Sequence, residues 1–427
     1  MMKPTVVILA GGIGKRFVPF ITSKPLFPFF GIPLLKHLLD QLTRTGWGQV
    51  IVVASADNFS DIKRLISSQR QMTVVVQNRP SGMADALLTV ENRIANKPIL
   101  VVNATDVVAD SLLINLKTQI LKRKPLIAAC RVSSYFPGGY LVFAGKRLVG
   151  IREKPGEGKE PSDLVKLVFD YFSSAQEILT LIKATTSDKD DAYEKALSVL
   201  IQTRPVEVVS YEDYWQPFKY SWHILDMVEV FLKERLIPGR EGAEVEKMAV
   251  VDKGVFLGKG VRVMAGAVIK APSYIGVNTV VGNNVLIRES IIEGDCVIGF
   301  GSEVARSYIG ENCWLHTNYI GDSVLESDVA FGSGAVTGNF RLDGKEVGVD
   351  VLGGKLLTSK IKLGALVAKG VKVGVNASLM PGVSLGTMAM IGPGTLVKEP
   401  ILANTRVFVK QTLLSKGRLS EKDDKKR

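Results

Sequence analysis

The chain has 427 residues, too many for one ordinary domain, and an apolar fraction of 46%, enough for large buried cores. No segment offers the roughly 18 uninterrupted apolar residues that cross a bilayer, and the start MMKPTVVILAGG lacks a signal peptide's longer apolar run and cleavage site, so no membrane role is expected. Three scattered cysteines exclude a disulfide framework and paired metal-ligand spacing, and point to a cytosolic protein. The net charge of +12 comes without a basic-aromatic cluster, so anionic small molecules rather than nucleic acid are the expected partners.

The first half alternates strand and helix patterns. Val6 to Ala10 reads as a buried strand running into Gly11-Gly12, Leu34 to Leu42 as a helix, and Val50 to Ala54 as a strand. Asp61 to Ser68 has helical spacing, Thr73 to Gln77 is strand-like, Ala84 to Ile94 is helical, and Ile99 to Asn103 is another strand. Such alternation predicts a mostly parallel sheet with helices on both faces and ligands beyond the strands' carboxyl ends. Helices over Asp191 to Gln202 and Trp222 to Leu236 close this domain at Ile237-Pro238-Gly239.

From Val251 the pattern changes to sixes. Apolar residues recur at Leu257, Val263, Ile269, Ile275, Val281 and Ile287. After one-residue contractions they continue at Ile292, Ile298, Val304, Ile309, Leu315 and Ile320. A second run goes through Val367, Val373, Leu379, Leu385, Ile391 and Val397. Neither a helix nor an alternating strand keeps this period. A hexapeptide β-helix does, with one apolar residue per short face pointing into a continuous core. Between Asp343 and Lys362 the beat lapses, which predicts an excursion from the coil. The expected organisation is therefore an α/β, Rossmann-like domain over residues 1–238, a left-handed parallel β-helix over 239–410, and a basic, disordered tail over 411–427.

Two constellations carry chemistry. The first strand runs into Gly11-Gly12-Ile13-Gly14-Lys15-Arg16, with Lys24-Pro25 following. Glycines let backbone N–H groups approach phosphates and the cations neutralise them, although the GK[ST] of a P-loop is missing. Further on come Gln77, Gly82-Met83-Ala84-Asp85, Asn103-Ala104-Thr105-Asp106, Gly138-Gly139-Tyr140 and Glu153-Lys154-Pro155. In the coil stand His316, Tyr319, Asn339 and Lys345, polar residues that core packing does not require.

The first set, in this order, resembles the sugar-1-phosphate nucleotidylyltransferases. The resemblance implies that Arg16 and Lys24 hold a nucleoside triphosphate, with Gly11, Gly12, Gly14, Gln77 and Gly82 about the nucleotide. It makes Asp106 the Mg²⁺ ligand, and places Gly139, Glu153 and Lys154 at the sugar phosphate. Phosphoryl chemistry of this kind needs mainly positioning and charge neutralisation. The pattern departs at Ser23, Met83 and Thr105, and most at Pro217: the family carries an Asp or Asn two residues after a Trp, completing the metal site, and here Trp215 is followed by Gln216 and Pro217. A domain that keeps nucleotide binding without turnover is the alternative.

The segments from Leu315 to Ser323 and from Phe331 to Asn339 resemble the active-site segments of the glucosamine-1-phosphate N-acetyltransferase domain of bifunctional, archaeal-type UDP-N-acetylglucosamine-forming enzymes, a likeness that spans essentially the whole chain. It implies acetyl-CoA as donor, an amino-sugar-1-phosphate as acceptor and a homotrimer. A neutral imidazole suits an amine attacking a thioester near pH 7, which assigns the base to His316. Asn339 is expected to donate to the developing oxyanion or fix the amine, and Tyr319, Lys345 and Arg306 to position the sugar phosphate. His37 and His223 read as structural. Alternatives are a single-activity hexose-1-phosphate nucleotidylyltransferase with a silent coil, and a nucleotide-sugar-binding scaffold. The choice of nucleotide and of sugar epimer is not legible in the sequence.

Overall fold

A computed structural model of the chain describes residues 3–79, 81–187 and 191–413. Most of the predicted basic tail, residues 414–427, lies outside them. The first domain is built on a nine-stranded sheet ordered Arg147–Glu153, Gly139–Ala144, Leu164–Phe172, Ile99–Asn103, Thr5–Ala10, Val50–Ser55 and Met72–Gln77, with Leu126–Arg131 and then Glu207–Tyr211 branching from Leu164–Phe172. The four strands from Ile99–Asn103 to Met72–Gln77 are parallel, as the alternation predicts, and antiparallel strands extend the sheet on the other side. Val6, Val7 and Ile8 and their neighbours Val50 to Val53 and Ile99 to Val102 are buried on both faces, hence their unbroken apolar runs.

The helices over the sheet are α1 (Leu34–Arg44), α2 (Ala56–Leu65), α3 (Met83–Thr89), α4 (Glu91–Ile94), α5 (Asp110–Gln119), α6 (Ala175–Ala184), α7 (Ala192–Thr203) and α8 (His223–Glu234). Two differ from the sequence expectation. α2 starts five residues before Asp61, because the Asn58 side chain accepts from the Ser55 N–H at 3.0 Å and donates to the Ala10 carbonyl at 2.9 Å, fixing an earlier start. The predicted helix from Ala84 to Ile94 is two, broken at Val90, whose φ of −108° leaves the helical range.

The second half is a parallel β-helix of three stacked sheets with eight, nine and eight short strands. The beat residues all point inward: Leu257, Ile275, Ile292, Ile309 and Leu325 on one face, Val263, Val281, Ile298, Leu315 and Phe331 on the next, Ile269, Ile287, Val304 and Ile320 on the third. Corners turn through left-handed residues, commonly Gly or Asn such as Gly260, Asn278, Asn284 and Asn312, because other side chains pay a steric cost there. The lapse in the beat is a hairpin, Gly348–Val351 paired with Gly354–Leu357.

The contractions have a structural cause. On the corner that leads back to the first face, three successive turns take five residues where six are normal: Ile287 to Ile292, Val304 to Ile309, Ile320 to Leu325. Each carries a left-handed residue (Glu289, Arg306, Asp322) followed by a buried serine (Ser290, Ser307, Ser323). The hydroxyls of Ser290, Ser307 and Ser323 accept the N–H groups of Ser307, Ser323 and Ala365 at 3.1 Å, replacing the backbone bonds that a shortened corner loses. The corner from Leu315 to Ile320 is shortened as well, and it carries His316.

The two halves share one core. Phe17, Phe27, Phe29, Phe218 and Phe231 of the first domain pack with Tyr274, Ile291, Tyr308, Val324 and Leu366 of the coil's first face. The Phe29 and Phe231 rings stack with centroids 4.6 Å apart, and Phe27 meets Tyr308 at 5.0 Å. The Tyr308 hydroxyl donates to the Pro28 carbonyl at 3.1 Å, and the Gly31 N–H donates to the Glu293 carboxylate at 2.6 Å.

Candidate active sites

The first site lies beyond the carboxyl ends of the parallel strands, where the fold leads a ligand to sit. A cavity of about 570 Å³ is lined by Gly11, Gly12, Gly14, Arg16, Lys24, Gln77, Gly82 and Asp106, residues predicted from the sequence as one constellation. Gly11 is required by close approach: a Cβ there would stand 2.7 Å from the Gln77 side-chain oxygen. Gln77 is oriented by donating to the Gly82 carbonyl at 3.1 Å and to Asp85 at 2.7 Å. Gly139, Glu153 and Lys154 stand beside the cavity rather than on its wall, Gly139 and Glu153 paired across one hairpin.

The electrostatics of this cavity are those of an anion site. Arg16, Lys24 and Lys219 make no ion pair among the described residues, nor does the neighbouring Lys15. Burial, reinforced by Arg16, lowers the Lys24 pKa to about 8. Burial raises that of Asp106 to about 6, against the opposing pull of Lys219. Asp106 opens a short strand (Asp106–Val108) paired antiparallel with Trp215–Pro217, so that Pro217 is its direct partner in register. Among the described residues no three His, Cys, Asp or Glu side chains gather into a metal-holding group. The residues fit an ion that arrives with its phosphates and takes one carboxylate from the protein, the usual habit of Mg²⁺, but they build no site that holds one alone.

The second site lies on the coil. The Asn339 amide donates to the Tyr319 hydroxyl at 3.1 Å and to the Asp322 carboxylate. Arg306 grips Asp322 from the other side, with two parallel bonds of 2.7 Å. Three of the predicted residues, Tyr319, Asn339 and Arg306, are thus tied together through one that the prediction omitted, Asp322. His316 is on the neighbouring shortened corner, exposed, its ring centroid 6.2 Å from that of Trp314. It makes no hydrogen bond to Tyr319 or Asn339 within the chain. The corner itself is rigid: buried Asn318 accepts from the His316 N–H at 2.7 Å and donates to the Gly332 and Ala335 carbonyls, each at 2.8 Å. Lys345 sits in an exposed turn whose backbone N–H is held by Asp343 at 3.2 Å, and its side chain does not join the cluster.

Four further residues escaped the sequence reading. Asp322 and Asn318 were signalled by the contractions of the repeat, at which both stand. Arg288, whose carbonyl accepts from the Arg306 N–H at 3.0 Å, occupies the equivalent shortened corner one turn earlier and is paired with Glu303 at 2.7 Å. Lys219 had no signal beyond standing two residues after Pro217. The two other histidines, read as structural, lie against backbone carbonyls. Burial lowers the His37 pKa to about 4, with Nε2 2.9 Å from the Phe29 carbonyl, and also lowers that of His223, whose Nδ1 is 2.9 Å from the Pro217 carbonyl.

Residues 5–216 match the sequence model of the nucleotidyl transferase family. The N-terminal domain is a nucleotidyl transferase domain. The similarity continues through the coil: the chain is 28% identical over 380 residues to the bifunctional sugar-1-phosphate nucleotidylyltransferase/acetyltransferase of Sulfurisphaera tokodaii, covering 87% of this chain and 92% of that one. It is 29% identical over 379 residues to the bifunctional protein GlmU of Methanococcus maripaludis, covering 88% and 90%. A glucose-1-phosphate thymidylyltransferase of Streptomyces antibioticus is 24% identical over 357 residues, covering 81% and 92%. Among the described residues of the nucleotidyl transferase domain and the coil, no helix is long and apolar enough to cross a membrane.

Proposed function

We propose that the chain is a two-site transferase of nucleotide-sugar synthesis. In the coil it N-acetylates an amino-sugar-1-phosphate, glucosamine-1-phosphate in the first instance, with acetyl-CoA. In the N-terminal domain it transfers a nucleotidyl group, UMP from UTP, to the sugar-1-phosphate and releases pyrophosphate. The observation that carries the reading is the chain of contacts from Arg306 through Asp322 and Asn339 to Tyr319, a buried-edge polar network on a repeat that needs none.

The network assigns roles. Both Asn339 amide hydrogens are engaged by Tyr319 and Asp322, so its carbonyl oxygen is the free group and holds the substrate amine; of the two expected roles, this favours fixing the amine over donation to the oxyanion. The Tyr319 hydroxyl accepts from Asn339 and is left to donate outward to a sugar oxygen. Arg306 spends two of its five N–H groups on Asp322 and keeps the rest for the phosphate, with Lys345 as a second cation. The neutral amine attacks the thioester carbonyl carbon, His316 takes the amine proton, and the carbon–sulfur bond breaks to release the thiolate of CoA, which is then protonated. The open position of His316 and the part-exposed column Val280, Val297 and Trp314 on its face support a neighbouring copy closing the site, hence a homotrimer.

In the N-terminal site, Arg16 and Lys24 hold the triphosphate, Gln77 and Gly82 face the nucleotide, and Gly139, Glu153 and Lys154 hold the sugar phosphate. Mg²⁺ would be held by Asp106 and would draw charge from the phosphates. A cytoplasmic protein is part of the same reading, supported by three free, buried cysteines. Mass spectrometry of products from acetyl-CoA, glucosamine-1-phosphate and UTP tests the reading: UDP-N-acetylglucosamine and pyrophosphate are expected. A nucleotide sugar without acetyl transfer to any amino-sugar phosphate would reduce the coil to an assembly element, and no product of either kind would refute both assignments.

A further inference from the structure

The position that faces Asp106 in register is Pro217, which has no ligand atom, yet the same turn sends a charged side chain into the cavity. Lys219 lines the wall with Arg16 and Lys24, and of the surrounding charges its ammonium acts most strongly on Asp106. Its place is built. The Phe218 N–H donates to the Thr105 carbonyl at 3.1 Å, pinning the turn beside Asp106, and the His223 ring stands 3.2 Å from the Lys219 backbone nitrogen. The ammonium lies 4.4 Å over the Phe136 ring and 3.4 Å from the Pro137 carbonyl, with no carboxylate in ion-pair reach among the described residues. A half-buried cation beside Arg16, Lys24 and Lys154, without a carboxylate to balance it, favours an anion that comes to it.

We propose that Lys219 replaces the second carboxylate of this pocket, so that the pyrophosphate end of a nucleoside triphosphate is neutralised chiefly by Lys219, Lys24 and Arg16 rather than by an ion held between two acidic side chains. The inference rests on the nucleotidyl-transfer reading and deepens it. In that reaction a sugar-phosphate oxygen forms a bond to the α-phosphorus while the bond to the β-bridging oxygen breaks. The electron pair leaves on pyrophosphate, with no change of oxidation state and no obligatory proton transfer. Negative charge therefore grows on the group that Lys219 faces, and a fixed ammonium there acts without an ion having to be recruited.

Calorimetry of UTP binding to the full chain, in EDTA and again in excess Mg²⁺, tests this. The unsubstituted protein is expected to bind UTP in EDTA. Lys219→Ala should weaken that binding by roughly ten- to a hundredfold, the loss of one charge-assisted contact, and Lys219→Arg should keep most of it. Pro217→Asp combined with Lys219→Gly should bind poorly in EDTA and recover when Mg²⁺ is added. Melting curves check that each variant is folded. The inference is overturned if folded Lys219→Ala binds UTP in EDTA as tightly as the parent, or if the parent binds only with Mg²⁺. If UTP, CTP, GTP, ATP and dTTP all fail to bind the parent in either condition, the nucleotidyl-transfer reading itself falls.

Discussion

Glu293 is a carboxyl group locked between the two halves of the molecule, and it makes their union sensitive to pH. It is 2% exposed, one oxygen accepts the Gly31 N–H at 2.6 Å, and the other is buried without a partner. Burial outweighs the Gly31 hydrogen bond and raises its pKa to about 7. A carboxyl whose folded pKa lies above its unfolded value keeps its proton in the native state while the unfolded chain has lost it. Its contribution to stability is therefore full below about 4.5 and declines as pH rises to about 7, beyond which it is flat. That window, at about 1.4 kcal/mol per pH unit, gives an effect on the order of 3 kcal/mol. Glu293→Gln removes the titration while keeping an acceptor for Gly31, at a pH-independent cost of about 1–3 kcal/mol for a buried amide N–H that finds no partner. Urea unfolding at pH 5 and pH 8 should show the parent losing stability across the interval by about 2.5 kcal/mol more than the variant does. Identical pH dependence in the two proteins would refute the argument.

Other consequences concern the second site. His316→Ala should abolish acetyl transfer and leave nucleotidyl transfer intact; a variant that still acetylates at the parental rate would remove the histidine from the mechanism. Asn318→Ala strips three hydrogen bonds from a buried corner and should cost about 2–4 kcal/mol in denaturant unfolding while cutting acetyl transfer, since His316 loses its anchor. Asp322→Asn removes the charge and one of the two hydrogen bonds that hold Arg306, and should raise KM for the sugar phosphate more than it lowers kcat, a split that steady-state kinetics at varied acceptor will read.

Much of this molecule is written in its periodicities. The parallel strands, α1, α8 and the beat residues of the coil follow from apolar spacing alone, because burial fixes which face each side chain takes. The residues around Gly11, Arg16, Lys24, Gln77 and Asp106 were named by the resemblance to sugar-1-phosphate nucleotidylyltransferases, and the ends of parallel strands bring them to one cavity. What escaped was pairing. The family pattern put Pro217 where a second metal ligand belongs, but nothing in the order of residues says that Asp322 stands between Arg306 and Asn339, since that depends on register set by distant segments. The start of α2 escaped because a side chain bonded to the first strand, rather than local pattern, decides it.

The interface between the halves had a trace in the sequence that the six-residue beat conceals. On the coil's first face the residue before each inward position from Ile275 to Val367 is also apolar: Tyr274-Ile275, Ile291-Ile292, Tyr308-Ile309, Val324-Leu325, Leu366-Val367. A strand with only one face buried should alternate, so a doubled apolar pair means that its outer face is covered too. Here it is covered by the aromatic cluster of Phe27, Phe29 and Phe231. On the second face the equivalent outer residues run from exposed Arg262 to exposed Lys372 with part-exposed Val280, Val297, Trp314 and Ala330 between them, so there the doubled pairs are not covered within the chain. The doubling continues without a break from Tyr274 to Val367, across the turns that hold the shortened corners. The coil therefore presents Arg306 and Asp322 on the edge of the face that is clamped to the nucleotidyl transferase domain, and a cleft lined by Leu225, Val228 and Leu232 of α8 reaches both. Lys360, beside that cleft, is ion-paired to Asp226 of the same helix.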